Sequence, residues 1–214
     1  MLLKKLLMKL RKNLVYDISF VGIIYLAGII GIRVLPDLFL KTSFISIIIP
    51  LFIYLFRLKP NKIDMFLMLL VYLISFFSEW IGVCFGYLFG DYIYGNSLGY
   101  KLDGVPLVIG ANWLLLCLVS RDLVSRVFSN KLIIIVLSSI LMVSIDFLIE
   151  PLSNSLDFWT WDNNTIPFSN YVDWFLIALL NQSLFSFLSH KKDMFSWSLS
   201  YLIILVLFFL TFYF

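Results

Sequence analysis

The chain has 214 residues, 62% of them hydrophobic and only 14% charged, with a formal net charge of +3 and 22 Phe, 11 Tyr and 6 Trp. So little charge cannot clothe a soluble domain of this size, and several apolar runs reach the length that crosses a hydrocarbon core. The expected fold is an all-α integral membrane protein, a polytopic helical bundle with about seven transmembrane helices in a single domain over 1–214.

Residues 1–13, MLLKKLLMKLRKN, form a basic segment before a first apolar run at 14–34. That run is longer than a signal-peptide core and lacks a small-x-small cleavage pattern, so it is expected as a retained span. Further apolar runs lie at 39–56, 65–89, 105–119, 132–149, 171–188 and 195–214. Lys4, Lys5, Lys9, Arg11 and Lys12 precede the first; Arg57, Lys59 and Lys62 follow the second; Arg121, Arg126 and Lys131 follow the fourth; Lys191 and Lys192 follow the sixth. These alternate breaks hold 13 of the 16 basic residues, leaving Arg33, Lys41 and Lys101 for the others. The positive-inside bias then places the amino terminus in the cytoplasm and the carboxyl terminus outside. Asp17, at the cytoplasmic end of the first run, is expected to pair with a lysine of the basic segment.

The acids fall the other way. Asp64, Asp122 and Asp193 share the basic breaks, whereas Asp37, Asp91, Asp103, Asp157 and Asp162 lie in the outer ones. Asp146, Glu150 and Asp173 lie toward the outer ends of their runs, and Glu79 a little past the middle of the third. An ionised carboxylate in the apolar belt costs several kcal/mol, so Glu79 either finds a cation or keeps its proton. Every Lys and Arg lies in a break or close to the end of a run, which leaves another carboxyl or a neutral polar group as its partner. Two acids in one site cannot both ionise freely, and the one that keeps its proton is a general acid. Asp146 and Glu150, four residues apart, share a helix face that Pro151 ends; they either hydrogen-bond loop amides or asparagines such as Asn112, Asn163, Asn164 and Asn170, or work as a pair.

Gly82, Gly86 and Gly90 follow Glu79 at intervals of four, a smooth stripe on a helix that admits either a neighbouring helix or a flat apolar ligand. The outer connections 90–105 and 151–170 are rich in Gly, Pro, Tyr, Trp and Asn and are expected to be folded but non-helical. Trp159, Trp161 and Trp174 can stabilise a positive centre or lie along a flat polyene, or belong to the interfacial belt. Asn181 and Gln182 read as inter-helix hydrogen bonders, and Cys84 and Cys117 as small buried hydrophobes. With one histidine, His190, and no metal-type cysteine spacing, no metal centre is expected. The pattern suits proton-driven chemistry on a lipid-soluble hydrocarbon, with no cofactor and no nucleic-acid partner.

The run EWIGVCFGYLFGDYIYGNSLGYKLDGVPLVIGANW at 79–113, followed by MVSIDFLIEPLSNSLDFWTWDNNTIPFSNYVDWF at 142–175, resembles a membrane-integral carotenoid biosynthesis family. Its members include bacterial carotenoid 1,2-hydratases acting on γ-carotene or lycopene ends, and an archaeal branch that hydrates bacterioruberin precursors. The resemblance spans 64–190 and rests on the glycine ladder after Glu79, Tyr92-x-Tyr94, Gly104-Val-Pro106, Asn112-Trp113, Asp146 to Pro151 and Trp159-x-Trp161, in order. It implies a bacterial inner-membrane enzyme that adds water across the terminal C1–C2 double bond of an acyclic or monocyclic carotenoid, which other carotenoid enzymes hand over within the lipid. Glu79 or Asp146 would supply the proton and Asp91 or Glu150 would hold the water. Gly82, Gly86, Gly90, Tyr92, Tyr94, Asn112, Trp113, Trp159, Trp161 and Trp174 would bind the substrate. The alternatives are a membrane-integral lycopene cyclase and a non-enzymatic lipid or polyene carrier.

Overall fold

The computed structural model describes residues 2–189 and 192–214, with side chains from residue 13 onward. The side chains of the basic segment 1–12, and His190 and Lys191 altogether, lie outside the described residues.

Two of the helices start at an asparagine cap, and a proline opens a third. Helix α1 (Leu2–Val34) ends before Leu35, and Pro36 then opens the one-turn α2 (Pro36–Leu40) before α3 (Ile45–Leu58). Asn61 accepts the Ile63 and Asp64 amides to begin α4 (Lys62–Phe85), and Asn130 does the same for α6 (Lys131–Ile149) through Leu132 and Ile133. Between them lies α5 (Val108–Val127), and α7 (Phe168–Phe185) and α8 (Phe195–Leu210) complete the bundle. Helix α5 is the central post, packed against α3, α4, α6, α7 and α8. Nearly every side chain from Val108 to Ser120 is buried. Gly110 lets it approach α4 closely, since a Cβ there would sit 2.8 Å from the Tyr72 carbonyl.

The outside is inverted relative to a soluble protein. Phe52, Phe56, Leu132 and Phe147 are all more than half exposed. Among the described residues, Asn13–Val34, Pro36–Leu58, Lys62–Phe85, Val108–Val127 and Lys131–Leu152 are long and apolar enough to cross a membrane. Helices α7 and α8 fall outside that set. The former carries Asn170, Asp173, Asn181 and Gln182, and the latter has 16 residues. The architecture is therefore a multi-pass helical membrane bundle in which five of the seven expected spans meet the length and apolarity of a crossing.

Several boundaries differ from the sequence reading. The third run is helical only to Phe85, because Gly86 closes α4 in the left-handed conformation (φ 66°), its amide bonded to the Gly82 carbonyl. The fourth does not stop at 119. It continues through Arg121, Asp122 and Arg126, because protein partners receive these charges: Asp122 accepts from Tyr54 (2.7 Å) and Ser198 (2.6 Å), joining α3, α5 and α8, and Arg121 donates to the Gln182 carbonyl at 3.2 Å. Asp17 pairs with Arg57 of α3 through two bonds, at 2.5 and 2.6 Å. Cys117 is buried as expected, but Cys84 is exposed on α4. Asn181 and Gln182 do join helices, Asn181 to Ser75 at 2.9 Å and Gln182 to the Cys117 carbonyl at 3.0 Å.

The connections after α4 and after α6 form two small antiparallel ribbons. Strand β2 (Lys101–Leu102) pairs with β3 (Val105–Pro106). Strand β1 (Tyr92–Tyr94) pairs with β4 (Trp159–Trp161) in the register Tyr92 to Trp161, Ile93 to Thr160 and Tyr94 to Trp159. Backbone bonds from Asp162 to the Asp91 carbonyl (2.9 Å) and from Gly95 to the Phe158 carbonyl (2.8 Å) extend that ladder at both ends.

Candidate active site

Side chains alternate along a strand, so YIY and WTW each send two aromatics to one face. Tyr92 and Tyr94 are buried while Ile93 between them is 70% exposed. The ribbon thus presses two phenols and two indoles onto one end of the bundle, formed by α4, α5, α6 and α7. There they meet three carboxyl groups.

Glu79 of α4 is 3% exposed. One of its oxygens accepts the phenols of Tyr92 (2.6 Å) and Tyr94 (2.7 Å), and the other the indole of Trp113 (2.9 Å) from α5. Burial, and next the charge of Glu79, hold both phenols well above their ordinary value, so they stay protonated as donors. Glu150, just past the end of α6, accepts the indoles of Trp161 (2.6 Å) and Trp159 (3.0 Å) on one oxygen and the Asn170 amide (2.8 Å) on the other. All three of those donors are N–H groups, which can only donate.

Asp146 stands one helical turn before Glu150 and is 1% exposed. Its Oδ2 accepts the same Asn170 amide at 3.2 Å, and its Oδ1 is buried with no hydrogen-bond partner. Asn170 therefore bridges the two acids from α7. Around them Glu79, Phe89, Tyr92, Tyr94, Ile109, Asn112, Asp146, Ile149, Glu150, Trp159, Trp161, Asn170 and Trp174 line a cavity with about 20 Å³ for the centre of a water molecule. That is room for one water. Among the described residues, no Lys, Arg or His lines it.

Of the residues expected from sequence, Glu79, Asp146, Glu150, Tyr92, Tyr94, Asn112, Trp159, Trp161 and Trp174 meet at this cavity. Trp113 stands behind the wall, stacked on Trp174 with ring centroids 3.7 Å apart. Asp91 is not brought in. It is exposed, immediately before β1. The glycines also depart from expectation: only Gly82 is helical, and Gly86 and Gly90 lie in the turn beyond α4 with positive φ, so no ligand-bearing stripe exists. Gly82 instead makes room for that turn, since a Cβ there would lie 3.0 Å from the Leu88 carbonyl and 3.1 Å from the Tyr92 hydroxyl.

Phe89, Ile109 and Ile149 were not singled out from sequence, and Asn170 only as a hydrogen-bond partner. Phe89 lines the cavity from a left-handed position (φ 66°), its amide held by Asp173 at 2.7 Å. For Asn170 a signal exists: it is four residues before Trp174, so both lie on one face of α7.

Fold and cavity together define a polytopic helical membrane protein with an enclosed site of acids and aromatics. The family model described as carotenoid biosynthesis protein matches residues 40–214, and the chain belongs to that family. The match is wider than 64–190, taking in α3 and α8. No curated protein and no solved structure matches the chain. Membership makes it a carotenoid-modifying membrane enzyme.

Proposed function

We propose that the enzyme is a cofactor-independent carotenoid 1,2-hydratase, adding water across the C1–C2 double bond of an acyclic ψ-end group. The carrying observation is the contrast among the three acids. Every oxygen of Glu79 and Glu150 is met by donors, which favours their carboxylate forms, whereas Asp146 Oδ1 faces no donor and is free to carry a proton toward the cavity.

In this reading Asp146 gives its proton to C2. The π electrons of C1=C2 form the new C2–H bond and leave the positive charge on tertiary C1. Glu79, Glu150 and the faces of Trp159, Trp161 and Trp174 stabilise that charge in a site that water does not flood. The oxygen of the cavity water bonds to C1, and the proton it sheds passes to Glu150 and back to Asp146 within the pair. A weak base suffices, because water bound to a carbocation is a strong acid. The sum is one water added and no electron transferred. The room for one water beside the acid favours capture by water over ring closure.

The protein is further read as a bacterial inner-membrane protein with seven crossings, α7 and α8 included, and a cytoplasmic amino terminus. The test is expression in cells that accumulate lycopene or γ-carotene, followed by mass analysis of the pigment. A product heavier by one water, absent with Asp146→Asn, is expected; an isomer of unchanged mass or no product overturns the reading.

A further inference from the structure

Two more cavities continue from the acid site. The first shares Ile109, Asn112, Ile149 and Trp159 with it and runs inward between α5 and α8, past Leu116, Phe158, Leu205 and Phe209. It offers about 50 Å³ to solvent-sized centres. The second shares Tyr25, Ser43, Ser46 and Phe208 with the first and lies between α1 and the α2–α3 stretch, with about 220 Å³. Ala27, exposed on the flank of α1, and Thr42, on the facing segment, stand at its rim.

Tyr25 stands at the junction. Its hydroxyl donates to the Ser46 carbonyl at 3.0 Å and lies 3.2 Å from the Tyr201 hydroxyl. The Ser46 carbonyl is available because residue 50, which would bond it in a regular helix, is a proline without an N–H. Among the described residues, no Asp, Glu, Lys or Arg lines either chamber, so a charged headgroup meets no counter-ion from them.

We infer that these chambers form one bore that holds the conjugated chain of a rod-like apolar polyene, its reactive end reaching the acid cavity and its far part leaving past Tyr25 to the lipid between α1 and α2–α3. This rests on the acid cavity being where a polyene end reacts. The substrate is therefore drawn sideways from the bilayer, and the length that extends beyond the bore is accommodated in lipid.

The test plugs the rim from opposite walls, with Ala27→Trp and Thr42→Trp in the full chain in membranes. Conversion is compared for lycopene and for 2,6-dimethyl-2-octene, a short hydrocarbon with the same dimethyl-alkene end. Each plug should lower conversion of lycopene relative to the short alkene by about tenfold or more. Equal losses for both alkenes, or an unchanged ratio in both plugged proteins, overturn the bore. Lycopene retained on purification of Asp146→Asn should be lost when either plug is added. If the unplugged enzyme yields no hydrated product yet retention still depends on the rim, the bore stands and the hydration reading falls.

Discussion

Tyr92 and Trp161 are direct partners across the β1–β4 ladder, their rings 5.0 Å apart, yet they bond to different acids: Tyr92 to Glu79 and Trp161 to Glu150, each at 2.6 Å. A single strand pairing between two connections thus sets the donors of two carboxyl groups that stand on different helices. The site depends on backbone register as much as on any one side chain.

That dependence predicts an effect from a residue outside the cavity. Thr160 lies between Trp159 and Trp161, opposite Ile93, and does not line the site. Thr160→Pro removes a backbone N–H from the ladder and is expected to lower turnover about tenfold or more and to lower the melting midpoint. Thr160→Val, which keeps the backbone, should stay within about twofold. Pigment turnover and thermal unfolding of the two purified variants check this.

The two acids bridged by Asn170 should respond differently to amide replacement. In Glu150→Gln the new N–H₂ faces either two indole N–H groups or the Asn170 amide, a clash of donors that costs about 1–3 kcal/mol. In Asp146→Asn the amide can turn toward the cavity, where Oδ1 has no partner. Both variants should lose activity, by about 10²-fold or more for the proton donor, but only Glu150→Gln should melt at a clearly lower temperature. Equal melting points would remove the distinction between them.

Tyr92 and Tyr94 give the fold an alkaline limit. Burial first, and then the Glu79 carboxyl, raise both phenols above their ordinary value. In the unfolded chain they lose protons near pH 10, whereas the folded protein still holds them. Above that pH the unfolded state binds fewer protons, so stability falls as pH rises toward the folded values. Tyr92→Phe/Tyr94→Phe should show a shallower fall in melting temperature above about pH 10 than the parent.

Asp91 provides the counter-test. It is exposed and contributes its backbone carbonyl, not its carboxylate, to the ladder through Asp162. Asp91→Asn should retain turnover within about twofold, as surface replacements usually do, whereas a loss like that of Asp146→Asn would return it to the chemistry.

Glu79, Asp146 and Glu150 could be picked out in the sequence because an ionisable group inside an apolar run is too costly to be incidental. Asp91 was misplaced because an acid after an apolar run looks the same whether the helix continues or stops. Here Gly86 stops it in a conformation that spacing does not reveal. The same turn dissolves the glycine ladder, since intervals of four imply one face only on a continuous helix. Tyr92-x-Tyr94 and Trp159-x-Trp161 show their alternation, but not that they pair with each other, because register is settled by tertiary contacts. Helix α5 outran its apolar run for a related reason: Tyr54 and Ser198 receive Asp122, and neither is its neighbour in sequence.

The placement of the carboxyl terminus can be argued from contacts at the ends of helices. The Arg33 guanidinium, in the last turn of α1, donates to the Thr211 carbonyl just past α8 and lies over the Phe212 ring at 5.6 Å. Tyr213 donates to the Leu148 carbonyl near the end of α6 at 2.8 Å. The carboxyl-terminal ends of α1, α6 and α8 therefore share one end of the bundle, the end that carries the acid cavity. Charge predicts which side that is, because the opposite end gathers Arg57, Lys59, Lys62, Arg121, Arg126 and Lys131. A chain that begins in the cytoplasm and ends with α8 parallel to α1 crosses an odd number of times, so α7 and α8 span together or not at all, and the proposed seven crossings include both. Alkaline phosphatase fused after Phe214 should be active in a bacterial host, and a fusion after Arg126 should be silent. Activity only in the second fusion would reverse the orientation and move the acid cavity to the cytoplasmic side.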